Sequence, residues 1–212
     1  MRSKISNKMN RTRKRDKKSR GQSLVEFTIL LPILIMMLSG LIEFGFMLNY
    51  YLDLIDAARE SARFAANDDP IRDNAGNYLD PNPAFYTRAQ QVVLDSVNIG
   101  SGGQITLNPI SDDIVISAFS LMDGAVDQRF PNGWGENGLN RYGNHNSDFT
   151  NAEITSRLNA AAPATGAVLV ELYYDYHMVL ALPWITMFVP DTLTLHAYSI
   201  MPNVNVEPTP TP

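Results

Sequence analysis

The chain has 212 residues, no cysteine and a formal net charge of −5, from 17 Lys+Arg and 22 Asp+Glu. The charge is split: residues 1–20 hold ten basic residues and one acid, a local +9, and the seven basic residues that remain are all arginine. The lack of cysteine excludes a disulfide scaffold, a thiol nucleophile and a thiolate metal site, and the charge asymmetry argues against a single globule of average composition.

An apolar segment follows the basic tail directly. From Leu24 to Leu52 there are 29 residues, interrupted by few charges, among them Glu26 and Glu43. As a helix this stretch is roughly 43 Å long, whereas a bilayer core needs only about 20 residues. It predicts one membrane pass with a helical projection beyond it. The basic flank should stay cytoplasmic and the acidic remainder should cross. A cleaved secretory signal is the competing reading, but the apolar run is too long for the usual core of such a signal. Pro32 lies inside the run and removes one backbone donor, so a kink is expected near it. Gly40 and Gly45 offer points of close approach for another helix. A carboxylate in hydrocarbon needs a partner or a task. Glu43 can simply mark the outer interface, or it can serve assembly and charge neutralisation together with Glu26 and Phe27. Glu26 is one helical turn from Gln22, so an amine created on Gln22 by cleavage after Gly21 would share its helix face.

The string Arg20-Gly21-Gln22-Ser23-Leu24-Val25-Glu26-Phe27 resembles a type IV prepilin processing site: a basic leader, a glycine at the cut, and a glutamate at the fifth mature position. With Pro32, the Glu43-Phe44-Gly45 triplet and Ala57-Ala58-Arg59 in that order, residues 20–66 resemble the TadE-like family, minor pilins or pseudopilins of the tight-adherence (Flp, type IVc) pilus. The resemblance implies cleavage between Gly21 and Gln22 by a prepilin peptidase. It implies Glu26 as the fifth-position glutamate and Phe27 as the aromatic residue that follows it. It implies other pilins, the assembly platform and the lipid bilayer as partners, and no nucleic acid.

Residues 46–66 continue the helix, with Leu48, Leu52, Ile55, Arg59 and Ala62 assigned to one face. Opposite charges at Asp56–Arg59 and Glu60–Arg63 have i, i+3 spacing. Residues 67–83 read as a loop with four aspartates, but Ile71, Asp73 and Ala75 do not supply the alternating ligands that a calcium loop needs before Gly76. Residues 84–98 read as a helix through Phe85, Ala89, Val92, Val93 and Val97. Strands are expected at 104–108 and 114–122.

Residues 123–149 read as a long Gly/Asn-rich loop. Gly133, Gly135 and Gly138 match a dinucleotide-binding spacing without the helix that such a motif requires. Trp134 is a contact candidate there. A short helix is expected at 150–162 and a long strand at 167–182. A partner strand is expected at 192–201. Between the strands, Val179–Pro190 is twelve residues without a charge, centred on Trp184 and including Phe188. It is too short to span. It is either a turn packed on the core or an apolar patch that docks on a membrane or another pilin. The Pro/Thr-rich end reads as extended and disordered.

The expected organisation is a leader at 1–21, a transmembrane helix and its extension at 22–66, an α+β head with an antiparallel sheet of about four strands and short helices at 67–202, and a tail at 203–212. No cofactor and no metal site is expected. The histidines show no ligand spacing, and catalytic motifs are missing. The expected function is assembly of a pilus, non-catalytic, with the N-terminus cytoplasmic and the head extracytoplasmic. The competing readings are a single-pass adhesin or receptor head, a membrane-tethered hydrolase, and a pseudopilin of a type II secretion system.

Overall fold

A computed structural model describes residues 19–100, 102, 104–157 and 166–206. The leader up to residue 18, the end of the helix expected at 150–162 and residues 207–212 lie outside the described residues. The chain divides into two compact units, Met1–Leu41 and Ile42–Pro212. The boundary falls inside one helix.

That helix, α1 (Ser19–Ala65), runs through Pro32 without a break in its assignment. Proline is tolerated within an apolar helix at the cost of one rung of the ladder. In the first unit the described part of α1 is almost wholly exposed: Leu24, Leu30, Leu34 and Met37 each keep more than half of their surface accessible.

In the second unit, residues 42–65 of α1 belong to the head by their packing. α2 (Pro83–Gly100) lies with them on one face of an antiparallel sheet. The sheet contains β1 (Asp113–Met122), β2 (Ala125–Phe130), β3 (Leu139–Asn140), β4 (Gly166–His177) and β5 (Thr192–Asn203). Its order is β2-β1-β4-β5, with β3 paired to β1 beside this path. The period-2 alternation of strands sorts β4 into two buried faces. Val168, Val170 and Leu172 join Leu54, Ala57, Ala62 and Ala65 of α1 and Phe85, Ala89 and Val93 of α2 in the main core. Leu169 and Ala167 point the other way, against Phe149 and Ile154 of α3 (Asn151–Arg157). A last short helix, α4 (Pro183–Thr186), lies between β4 and β5.

The α+β class and the order of helix and antiparallel sheet agree with the sequence reading. Several particulars differ. The buried face of α1 in this stretch is Leu54, Ala57, Ala58, Ser61, Ala62 and Ala65, of which the sequence-assigned face contains Ala62, while Leu48 and Leu52 of that face are exposed. Alanine lets the helix axis approach the sheet and α2 closely, and the Ser61 hydroxyl donates to the Ala89 carbonyl at 2.7 Å. Residues 104–108 bury Ile105 and Leu107 but pair with no strand. The segment 123–149 contains β2 and β3. β4 ends at His177 rather than 182, because the chain turns away to meet α1. Order also continues into the expected tail, where Asn203 closes β5 and Val206 is fully buried. Gly166 is required by that packing, since a Cβ there would collide with Val206 and with the Asn203 carbonyl.

Candidate functional site

The head holds α1 at two points. At the first, the Glu43 carboxylate is 5 % exposed and accepts three hydrogen bonds. The Tyr176 hydroxyl donates to Oε1 at 2.6 Å, the Val179 amide donates to Oε1 at 2.8 Å, and the Leu180 amide donates to Oε2 at 2.8 Å. Burial, then the bond to Glu43, pushes the Tyr176 phenol well above its ordinary value. The Tyr50 ring lies edge-on to Tyr176, with centroids 5.2 Å apart. Ala181 follows with a φ of 42°, in the left-handed region, so the chain reverses immediately after the two donating amides.

At the second point, the Asn203 side-chain amide donates to the carbonyls of Ala65 and Asp68, at 2.9 and 3.0 Å. The spacing of the two clamps has a simple origin. Glu43 to Ala65 is about 33 Å of helix, and the twelve-residue β4 covers about the same distance at roughly 3.3 Å per residue. The strand therefore delivers one end to Glu43, and β5 returns to Ala65.

In the first unit the described N-terminal turn is free of such constraint. The Gln22 side-chain amide donates to Glu26 Oε1 at 3.1 Å, and both residues are exposed. The Thr28 hydroxyl donates to the Leu24 carbonyl at 2.8 Å. Phe27 is 59 % exposed. A Cβ added at Gly21, Gly40 or Gly45 would meet nothing within 4 Å. Each helical glycine costs about 1 kcal/mol relative to alanine, and packing within the chain requires none of these three.

The remaining sequence candidates are dispersed. Trp134 is exposed in the loop before β3. Gly133, Gly135 and Gly138 all have positive φ and lead into β3, where a Cβ at Gly138 would strike Ser117 and Val115. Trp184 is half-buried in α4, whereas Phe188 and Met187 are 82 % and 77 % exposed. The Asp73 carboxylate accepts from the Ala75 and Asn77 amides and from the Asn77 side chain, so it organises the turn at 73–77.

Sequence reasoning missed a polar layer on the α3 side of the sheet. Glu171 is fully buried, accepting from the Asp148 amide and the Tyr173 hydroxyl. His145 and His196 stack on Tyr173 at 4.5 and 4.4 Å. Arg129 is buried, donating to Ser117 Oγ and the Phe149 carbonyl. Asp113 accepts amide bonds from Arg141, Tyr142, Asn144 and His145, which fixes the loop after β3. The alternation of β4 does place Glu171 beside Leu169, which was the available signal.

Among the described residues one helix, Gly21–Ala65, is long and apolar enough to cross a membrane. An apolar helix of this length leading into an α+β head suggests membrane anchoring. A family model described as TadE-like protein matches residues 21–63. The match covers the exposed anchor, the Glu43 clamp and most of the head-bound helix, and it agrees with the resemblance carried by the sequence motifs. The chain therefore bears a TadE-like region. No curated protein and no solved structure matches the chain.

Proposed function

We propose that this protein is a minor pilin or pseudopilin of the tight-adherence pilus. It acts by assembly rather than catalysis, with its leader cytoplasmic and its head on the opposite side of the membrane. A prepilin peptidase cuts between Gly21 and Gln22. The new ammonium on Gln22 then lies one helical turn from Glu26, where an i, i+4 pair shares a face and a low-dielectric setting strengthens the attraction. The platform draws the helix from the bilayer, and its apolar surface packs against other pilins.

The observation that carries this reading is the exposed apolar surface of α1, which continues past the membrane run. Phe44, Leu48 and Leu52, at helical spacing, remain 54 %, 44 % and 52 % exposed although the same turns belong to the head unit. A head that needed its helix only as a tether has no use for such a stripe. The glycine at position 21, which packing does not require, fits recognition by a peptidase.

N-terminal sequencing of the full chain, expressed in membranes with and without the peptidase, tests the proposal. The expected mature end is Gln22 only when the peptidase is present, and Gly21→Ala should abolish the cut. An uncut chain in both membranes would overturn processing.

A further inference from the structure

We propose that the loop at 179–190 is a second membrane contact, seating its apolar tip in the lipid interface on the side where the head lies. The proposal rests on membrane anchoring by α1 and is independent of the pilin assignment.

Three observations carry it. The first is position. The uncharged run of α1 ends at Glu43, so a span that uses this run leaves Glu43 at the boundary between hydrocarbon and water. The amides of Val179 and Leu180 are bonded to that same carboxylate. The loop therefore starts at the boundary, held there by the fold.

The second is side-chain chemistry. No charged residue occurs from Val179 to Pro190, and Val179, Met187 and Phe188 are 51 %, 77 % and 82 % exposed. A protein partner is usually specified by polar groups around an apolar centre, and this tip offers few. Lipid makes no such demand. Trp is enriched at the membrane interface, and Trp and Phe form the lipid-facing side of interfacial segments; Trp184 and Phe188 supply them here.

The third is the backbone. A segment that enters the interface must satisfy its own peptide groups, since lipid tails provide no partners. Here the amides of Ile185 and Thr186 donate to the Leu182 carbonyl. Those of Met187, Phe188 and Val189 donate to Pro183 or Ile185. The single turn of α4 therefore closes the amides of the same residues whose side chains are exposed.

The chain contains no cysteine, so single-cysteine variants of the full chain give clean labels. Phe188→Cys, Leu34→Cys and Val204→Cys would each carry an environment-sensitive fluorophore and be reconstituted in phosphatidylcholine–phosphatidylglycerol vesicles. Leu34 lies in the span. Val204 is 61 % exposed next to Asn203, at the clamp on Ala65. A nitroxide quencher attached to the lipid should quench the label at 188 several-fold more than the label at 204, and similarly to the label at 34. Water-like emission at 188, quenched no more than at 204, would overturn the proposal. Emission at 188 that is shielded from water yet insensitive to the lipid quencher would reveal a protein contact, a second copy of this chain included, and would overturn it equally. An unquenched label at 34 would overturn the anchoring itself, and the proposal with it.

Discussion

Glu26 and Glu43 lie on the same helix and have opposite surroundings. Glu26 is exposed and receives a hydrogen bond from the neighbouring Gln22 side chain. Glu43 is buried and receives three, all from residues beyond position 175. A buried carboxylate whose acceptor sites are filled by its own chain belongs to the fold, and removing it leaves its donors unsatisfied. The Glu26 carboxylate has no such role in the head: its bond to the neighbouring Gln22 side chain is local and exposed. The family match spans both positions: residues 43–65 carry the helix face packed in the head, whereas the large apolar side chains from Leu24 to Leu38 stay exposed.

The largest expected effect is at the buried clamp. Glu43→Ala leaves the Tyr176 hydroxyl and two backbone amides without their acceptor and should destabilise the head by about 3 kcal/mol or more, read by denaturant unfolding in detergent. A change below 1 kcal/mol would show that the clamp is dispensable and would erase the contrast between the two glutamates. Asn203→Ala opens the other clamp: the carbonyls of Ala65 and Asp68 lose their shorter bonds and keep the longer ones from the Asp68 amide and the Asn205 side chain, and the Asn205 amide loses its acceptor. About 2–3 kcal/mol is expected, with faster amide exchange at the end of α1 as the local signature.

Tyr176→Phe sharpens the contrast further. It removes one donor and leaves both amides on Glu43, so a smaller loss of about 1–2 kcal/mol is expected in the same unfolding assay. A loss equal to that of Glu43→Ala would mean that the amides contribute nothing.

The smallest effect calibrates an exposed carboxylate satisfied locally. Glu153 accepts from the Thr150 amide and hydroxyl in a capping box at the start of α3, and these bonds, the backbone one first, hold it below the ordinary value of 4.5. Its contribution is complete above the unfolded value and disappears as pH falls through the lowered folded value. Glu153→Gln should therefore remove a slight acid-side slope in head stability and leave neutral-pH stability nearly unchanged, measured by unfolding midpoints across an acid pH series.

The long apolar helix and the TadE-like region were legible because their signals are local: Gly21, Glu26, an uncharged run and Pro32 all lie within one segment. The helix expected at 84–98 and the strands β1, β4 and β5 were legible for the same reason, through their periodicity. The role of Glu43 was not, because its partners are 133 to 137 residues away along the chain, and spacing along one helix carries no trace of them. The inward face of α1 was not read from the sequence because, Leu54 apart, small residues form the contact, while Leu48 and Leu52 are turned outward. β2 escaped notice because Ala125–Phe130 includes the charged residues Asp127 and Arg129 and mixes exposed with buried positions at the sheet edge. At 104–108 the alternation was real and buries Ile105 and Leu107, but burial of alternate residues does not by itself form a ladder.

The account stands most directly on a paired measurement of the two glutamates in the full chain. Glu26→Ala and Glu43→Ala would each be scored for head unfolding free energy and for recovery in the sheared pilus fraction. The account predicts that Glu26→Ala keeps wild-type head stability and is lost from the fraction, whereas Glu43→Ala loses head stability. A Glu26→Ala protein that still enters the pilus fraction at the wild-type level, or one whose head is destabilised as much as that of Glu43→Ala, would contradict it.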